Sequence, residues 1–194
     1  MKQLKKIFIL IPFFVLSCAS SLHNKDNEPI NVFLETKKVD KSKKYILQRD
    51  KIYSRAVLRI FNGGEGPDHA IDSINDIDYT GGLFAEKYWQ KMYKNYINDT
   101  VKKYWKKEDF PGYDFILEDG EGIMKYDFSI RYMNSRVDQV ISISEPIYYK
   151  NKEYIMFYFN MSSFLGSLQP QVVIMKKEKG KWVVVRVIGD YVYY

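Results

Sequence analysis

Residues 153–161 read E-Y-I-M-F-Y-F-N-M, an almost unbroken apolar and aromatic run. A run this short, bounded by turn signals, predicts a central strand covered on both faces. Asn151-Lys152 precedes it, and a polar stretch containing Gly166 follows. Next come a β-branched run over 171–177, the polar turn Glu178-Lys179-Gly180-Lys181, and a second run over 182–188. These two runs predict a hairpin, with Gly180 supplying a positive φ in the turn. The period of two places Trp182, Val184, Arg186 and Ile188 on one face of the last strand.

Further upstream, Met124, Tyr126, Phe128, Ile130 and Tyr132 alternate with Lys125, Asp127, Ser129 and Arg131. That alternation predicts a half-buried antiparallel strand paired with 113–117 across Asp119-Gly120-Glu121-Gly122. A strand over 137–144 follows, ended or bent at Pro146, because proline cannot donate to a central ladder. Over 83–107, Trp89, Met92, Tyr93, Tyr96, Ile97, Val101, Tyr104 and Trp105 recur at three and four residues, with lysines off the stripe. This predicts one long amphipathic helix laid on the sheet, with a lysine-flanked membrane-surface helix as the alternative. Residues 30–34 suit a short strand, and 45–61 a helical stripe or, over 56–61, a strand. The fold class is α+β: a curved antiparallel β-meander of about five to six strands packed on one long helix, with a second helix or strand before it. A 46% hydrophobic and 28% charged composition is that of one folded domain.

The amino terminus carries a different signal. Met1 to Lys6 is short and basic, and 7–16 is apolar apart from Pro12. Such a segment is a secretory signal, too short to span a bilayer. It ends in V-L-S-C at Val15 to Cys18, which resembles a bacterial lipobox. That resemblance implies cleavage before Cys18 and attachment of a diacylglycerol to its thiol. Leu16 departs from the small residue common at its position. Cys18 is the single cysteine of the chain, so no internal disulfide is available. Residues 19–29 are polar and read as a tether reaching roughly 36 Å when extended. The expected division is therefore a signal peptide over 1–17, a lipidated cysteine and tether over 18–29, and one α+β domain over 30–194.

S-E-P-I at Ser144 to Ile147, the aromatic strand, the Gly/Ser loop and K-K-E-K-G-K-W at Lys176 to Trp182 together resemble small bacterial envelope lipoproteins with no assigned activity. A helix over a curved sheet is likewise similar to cone-shaped folds of the nuclear-transport-factor-2 or cystatin type, and fold analogy does not establish function.

Charge and motifs exclude more than they select. Taking Lys2, Lys5 and Lys6 from the 30 basic residues leaves 27 against 24 acidic. This balance is too mild for nucleic acid, which calls for a clustered basic stripe. Arg49, Lys51, Arg55 and Arg59 read as a solvated face. Asn62-Gly63-Gly64-Glu65-Gly66-Pro67 breaks regular structure but lacks the Lys-Ser/Thr of a phosphate loop. Asp68, His69, Asp72, Asp76 and Asp78 could together hold a cation, yet their spacing lacks the pattern of an EF-hand loop, and a solvated acidic loop is expected. His23 reads as a tether residue. No G-x-S-x-G elbow or zinc-spaced histidine pair is present.

The expectation is a lipid-anchored envelope protein on the periplasmic or cell-surface side, held to the membrane through Cys18, with a non-catalytic domain. That domain would bind another envelope protein, a glycan or a small ligand, with no cofactor. Tyr191, Tyr193 and Tyr194 offer a contact surface or a final edge strand. The alternatives are an envelope hydrolase or metal enzyme built on the Asp68 to Asp78 loop, and a membrane-tethered immunity or inhibitor protein.

Overall fold

The computed structural model describes residues 27–64, 77–132, 134–137, 139–164 and 166–190. Cys18 with its lipobox, His23, Asp68, His69, Asp72, Asp76, Tyr191, Tyr193 and Tyr194 lie outside the described residues.

The run that reads as a central strand is β5, Tyr154–Ser163, the longest strand among the described residues. Its odd positions Ile155, Phe157 and Phe159 enter one apolar cluster, while Met156 and Tyr158 enter another on the opposite face. Continuous apolarity is what two-sided burial demands. The neighbouring strand β6, Gln171–Glu178, splits its side chains in the same way, Val173 and Met175 to one face and Val172 and Ile174 to the other. It pairs antiparallel with β7, Lys181–Gly189, through a turn in which Lys179 and Gly180 have φ of 50° and 82°. Two successive positive values match the twist of a tight hairpin.

The strand expected over 137–144 is β3, Gln139–Ile143. The chain bends at Pro146 and continues as β4, Ile147–Tyr149, along the same edge of β5. Two further strands, β1 (Tyr45–Gln48) and β2 (Phe115–Glu118), complete seven, in the order β2-β1-β3-β5-β6-β7 with β4 beside β5. The fold is α+β, and its sheet is mixed. β1 runs parallel to both β2 and β3. The antiparallel meander is thus corrected at this end: β2 does not pair with 124–132.

Helix α4 (Gly120–Ile123) precedes that stretch, 124–127 turn, and 128–132 form helix α5 (Phe128–Tyr132). The alternating set is not one buried face, since Met124, Tyr126 and Ile130 are 85%, 94% and 59% exposed while Phe128 is buried. The contacts that matter are at i and i+4, where Phe128 and Tyr132 both pack against Phe164. Residues 30–34 form part of helix α1, Glu28–Thr36, rather than a strand. Pro29 sits in its first turn, and Ile30, Phe33 and Leu34 make a buried i, i+3, i+4 stripe. The end of the expected tether is therefore built into the domain: Asn27 is buried and its Nδ2 donates to Asp109 Oδ1 at 3.0 Å.

The stripe over 45–61 divides into β1 and helix α2, Ser54–Asn62, closed by Gly63 at φ 81°. The long helix expected over 83–107 shrinks to α3, Glu86–Tyr96. Its aromatic stripe belongs to two cores. Trp89 and Met92 pack on one face of the sheet, whereas Trp105 crosses to the other, where its Nε1 donates to Ile143 O at 3.1 Å. No straight helix can serve both.

The layers follow from these assignments. On one face, α1 and the segment carrying Trp105, Phe110 and Tyr113 cover β1, β2, β3, β5 and β6. Phe33 meets Phe157 and Phe159 edge-on at 5.5 and 5.0 Å. On the other face, α2 and α3 cover β4 to β7, and α4 with α5 cover Ile46, Ile116 and Val140. The expected single face of β7 is also corrected. A bulge sets Met175 opposite Val184 but Ile174 opposite Arg186, leaving Val185 extra. Trp182 and Val184 therefore pack on the α1 face and Ile188 on the α2 face.

Candidate functional site

The second face carries two apolar clusters, and a polar strip separates them. Gln48 on β1, Ser142 on β3 and Asn160 on β5 share that face by strand parity, and Ser142 lies opposite Asn160. Ser142 Oγ donates to Gln48 Oε1 at 2.9 Å, and Asn160 Oδ1 accepts the Gln169 N–H at 2.8 Å. Where the strip reaches the end of β1, a cleft of about 780 Å³ opens. Its wall combines Gln48 at the end of β1, Asp50 and Tyr53 after it, Arg55 and Arg59 on α2, Trp89 and Tyr93 on α3, and Lys102 beyond α3. That size and that mixture of aromatic, polar and charged wall suit a small polar molecule.

The aromatic wall is fixed by packing. Trp89 is 2% exposed and lies 4.9 Å from Tyr93 between ring centroids, tilted by 33°. Its indole N–H is buried without a hydrogen-bond acceptor among the described residues. Tyr53 and Tyr93 keep 46% and 36% of their surface open. Asp50 is buried at the cleft's polar end. One carboxylate oxygen accepts the Gly120 N–H, and the other forms an ion pair with Lys102 Nζ at 3.0 Å. Burial pushes the Asp50 carboxyl up, but the Gly120 hydrogen bond and Lys102 outweigh it, so the group stays below the ordinary carboxylate range. Lys102 is held above the usual ammonium value mainly by its bond to Asp50.

Beside the cleft, Glu145 joins Lys51 at 2.8 Å and Lys103 at 2.7 Å, and Lys103 also meets Asp99 at 3.0 Å. Lys51 Nζ lies 4.1 Å from the centre of the Trp105 ring. Burial raises the Glu145 carboxyl, and its bonds to Lys103 and Lys51 lower it further than burial raises it. Arg59 forms an ion pair with Asp190.

These pairings correct the reading of Arg49, Lys51, Arg55 and Arg59 as one solvated face. Arg49 meets Asp119 at 2.6 Å, and the side chains of Lys51 and Arg59 are only 12% and 18% exposed. Arg55 alone of the four makes no ion pair among the described residues, and it is exposed on the cleft wall. A basic run at spacings of two and four gave no sign of this sorting, because each anion comes from a distant segment.

Of the acidic loop, Asp78 lies within the described residues. Its Oδ1 accepts the Thr80 N–H at 2.8 Å and the Thr80 hydroxyl at 2.6 Å, and its Oδ2 accepts the Gly82 N–H at 3.0 Å. This carboxylate builds a turn. Among the described residues no group of three or more His, Cys, Asp or Glu could hold a metal ion. No helix among them is long and apolar enough to cross a membrane.

Fold and site together define an α+β domain with a two-faced mixed sheet and an open, aromatic-walled cleft at the end of β1. No family model, no curated protein and no solved structure matches the chain.

Proposed function

We propose that this is a lipid-anchored envelope protein whose folded domain binds a small polar ligand in the cleft beside β1. The cleft carries this reading. It combines a rigid aromatic wall, a buried carboxylate and exposed tyrosines within about 780 Å³, the features of a small-molecule site rather than of a flat protein interface. The lipobox-like V-L-S-C supports the anchor. The membrane is then the partner of Cys18, and the cleft faces solutes of the same compartment.

The test is a thermal-shift screen of the domain against soluble saccharides and polar metabolites at millimolar concentration. The expected result is at least one compound that raises Tm in the parent and raises it less in Tyr53→Ala, a variant of an exposed residue on the cleft rim. A panel without a hit, or hits equally strong in the variant, would remove the cleft from the function.

A further inference from the structure

Among the described residues the charges along the cleft do not balance, and the imbalance points to the ligand. Four cationic ones among the described residues line it, Lys51, Arg55, Arg59 and Lys102, against Asp50 as the acidic one. Lys51 is neutralised by Glu145, Arg59 by Asp190 and Lys102 by Asp50. Arg55 is left as the excess charge among the described residues. It stands at the solvent side of α2, one turn before Arg59 and two residues from the exposed ring of Tyr53. A guanidinium so placed presents a planar fork of N–H donors to an incoming carboxylate or phosphate.

The rest of the wall describes the remainder of the ligand. Tyr53 and Tyr93 expose ring surface suited to the apolar C–H face of a sugar. Gln48 places a side-chain amide on the wall for a hydroxyl partner. An anion without a ring would leave the tyrosines unused, and a neutral sugar would leave Arg55 unused. We infer that the cleft takes an acidic sugar, a saccharide bearing one carboxylate or phosphate, with Arg55 on the acid group and the tyrosines on the ring. This inference rests on the cleft being the binding site.

The experiment is calorimetric titration of the parent, Arg55→Gln and Tyr53→Ala with glucuronate, glucose 6-phosphate, glucose, acetate and inorganic phosphate. Glucuronate and glucose 6-phosphate distinguish the carboxylate from the phosphate source. At least one should bind the parent about tenfold or more tighter than glucose does, the worth of a charge-assisted hydrogen bond. Arg55→Gln should cut that affinity to the level of glucose and abolish its weakening by added salt. Tyr53→Ala should weaken the acidic and neutral sugars alike. Arg55 is exposed, so the variant should keep the parent's circular dichroism and Tm.

Equal affinity for glucose and both acidic sugars, unchanged in Arg55→Gln, would overturn the acid-group assignment. Acetate or inorganic phosphate binding as tightly as the acidic sugars would overturn the sugar. If neither acidic sugar binds while another compound gives a Tyr53-dependent Tm shift, this inference fails and the cleft reading stands.

Discussion

Glu145 shows how a single side chain ties remote segments together. It joins Lys51, which follows β1, to Lys103, beyond α3. Its carboxyl is held below the ordinary value of 4.5 in the folded state. A lowered folded value means stability that is fully present above about pH 4.5 and lost as pH falls through the folded value. Glu145→Gln should therefore be less stable than the parent at pH 7, with the difference narrowing as pH drops below about 4.5, which urea midpoints across that range would check. A difference independent of pH would show that the ion pairs contribute nothing. At Trp105, 1% exposed and bonded to Ile143 O, replacement by Ala should cost about 3–5 kcal/mol, the usual loss for a buried large aromatic. Trp182 looks equivalent in the sequence but is half-buried, with Lys177 over its ring and Glu28 on its Nε1. Trp182→Ala should cost less, about 1–2 kcal/mol. Chemical denaturation of the two variants side by side would reverse this order if the bulge did not turn Trp182 toward the rim.

At the level of elements, β4 and α3 are joined by one hydroxyl. Tyr149, 2% exposed, accepts the Ala85 N–H at 2.8 Å and donates to Leu83 O at 3.0 Å, just before α3 begins. Burial pushes its hydroxyl up to about 12, so it is a neutral donor at all moderate pH. Tyr149→Phe should cost about 1–3 kcal/mol, because two backbone groups lose their partner at a buried site. Hydrogen exchange should show the loss first at the start of α3; uniform change across the sheet would contradict the local role. The β6–β7 turn offers a gain instead. Lys179 adopts φ 50° without the side chain that favours it. Lys179→Asn should raise stability by roughly 0.5–1 kcal/mol, since Asn-Gly is preferred where both turn residues are left-handed. An unchanged or lower Tm would mean that the turn relaxes to another type.

For the whole molecule, anchor and cleft make separable demands. Two acyl-type chains at about 0.8 kcal/mol per buried methylene hold a protein firmly, whereas one holds only marginally. The parent should fractionate with membranes and yield a lipid-modified peptide beginning at Cys18 in mass spectrometry. Cys18→Ala should shift the protein to the soluble fraction or leave an uncleaved precursor, with ligand binding by the domain unchanged. A mature chain with an unmodified Cys18 thiol would sink the anchor and leave the cleft untouched.

The features legible from sequence were those whose cause is local. β5 and β6 announce two-sided burial by continuous apolar runs, the hairpin declares its turn through Gly180, and Pro146 bends the strand it interrupts. Helix α1 was misread as a strand, because the run is short enough to hide Pro29 in a first turn and the Ile30, Phe33, Leu34 spacing. Elsewhere periodicity misled, because the pattern does not say which core a residue enters. The stripe over 83–107 serves both faces, and over 124–132 Phe128 and Tyr132 pack at helical rather than alternate spacing while Met124 and Tyr126 stay exposed. The parallel pairing of β1 with β2 and β3, the bulge at Val185 and the cleft itself were decided only in three dimensions. Asp50 meets Gly120 seventy residues away and Arg59 meets Asp190 across 131. Such pairings depend on how the chain closes its long loops, so Arg55, the cation of its run without an ion pair among the described residues, becomes visible only when its neighbours have found their partners.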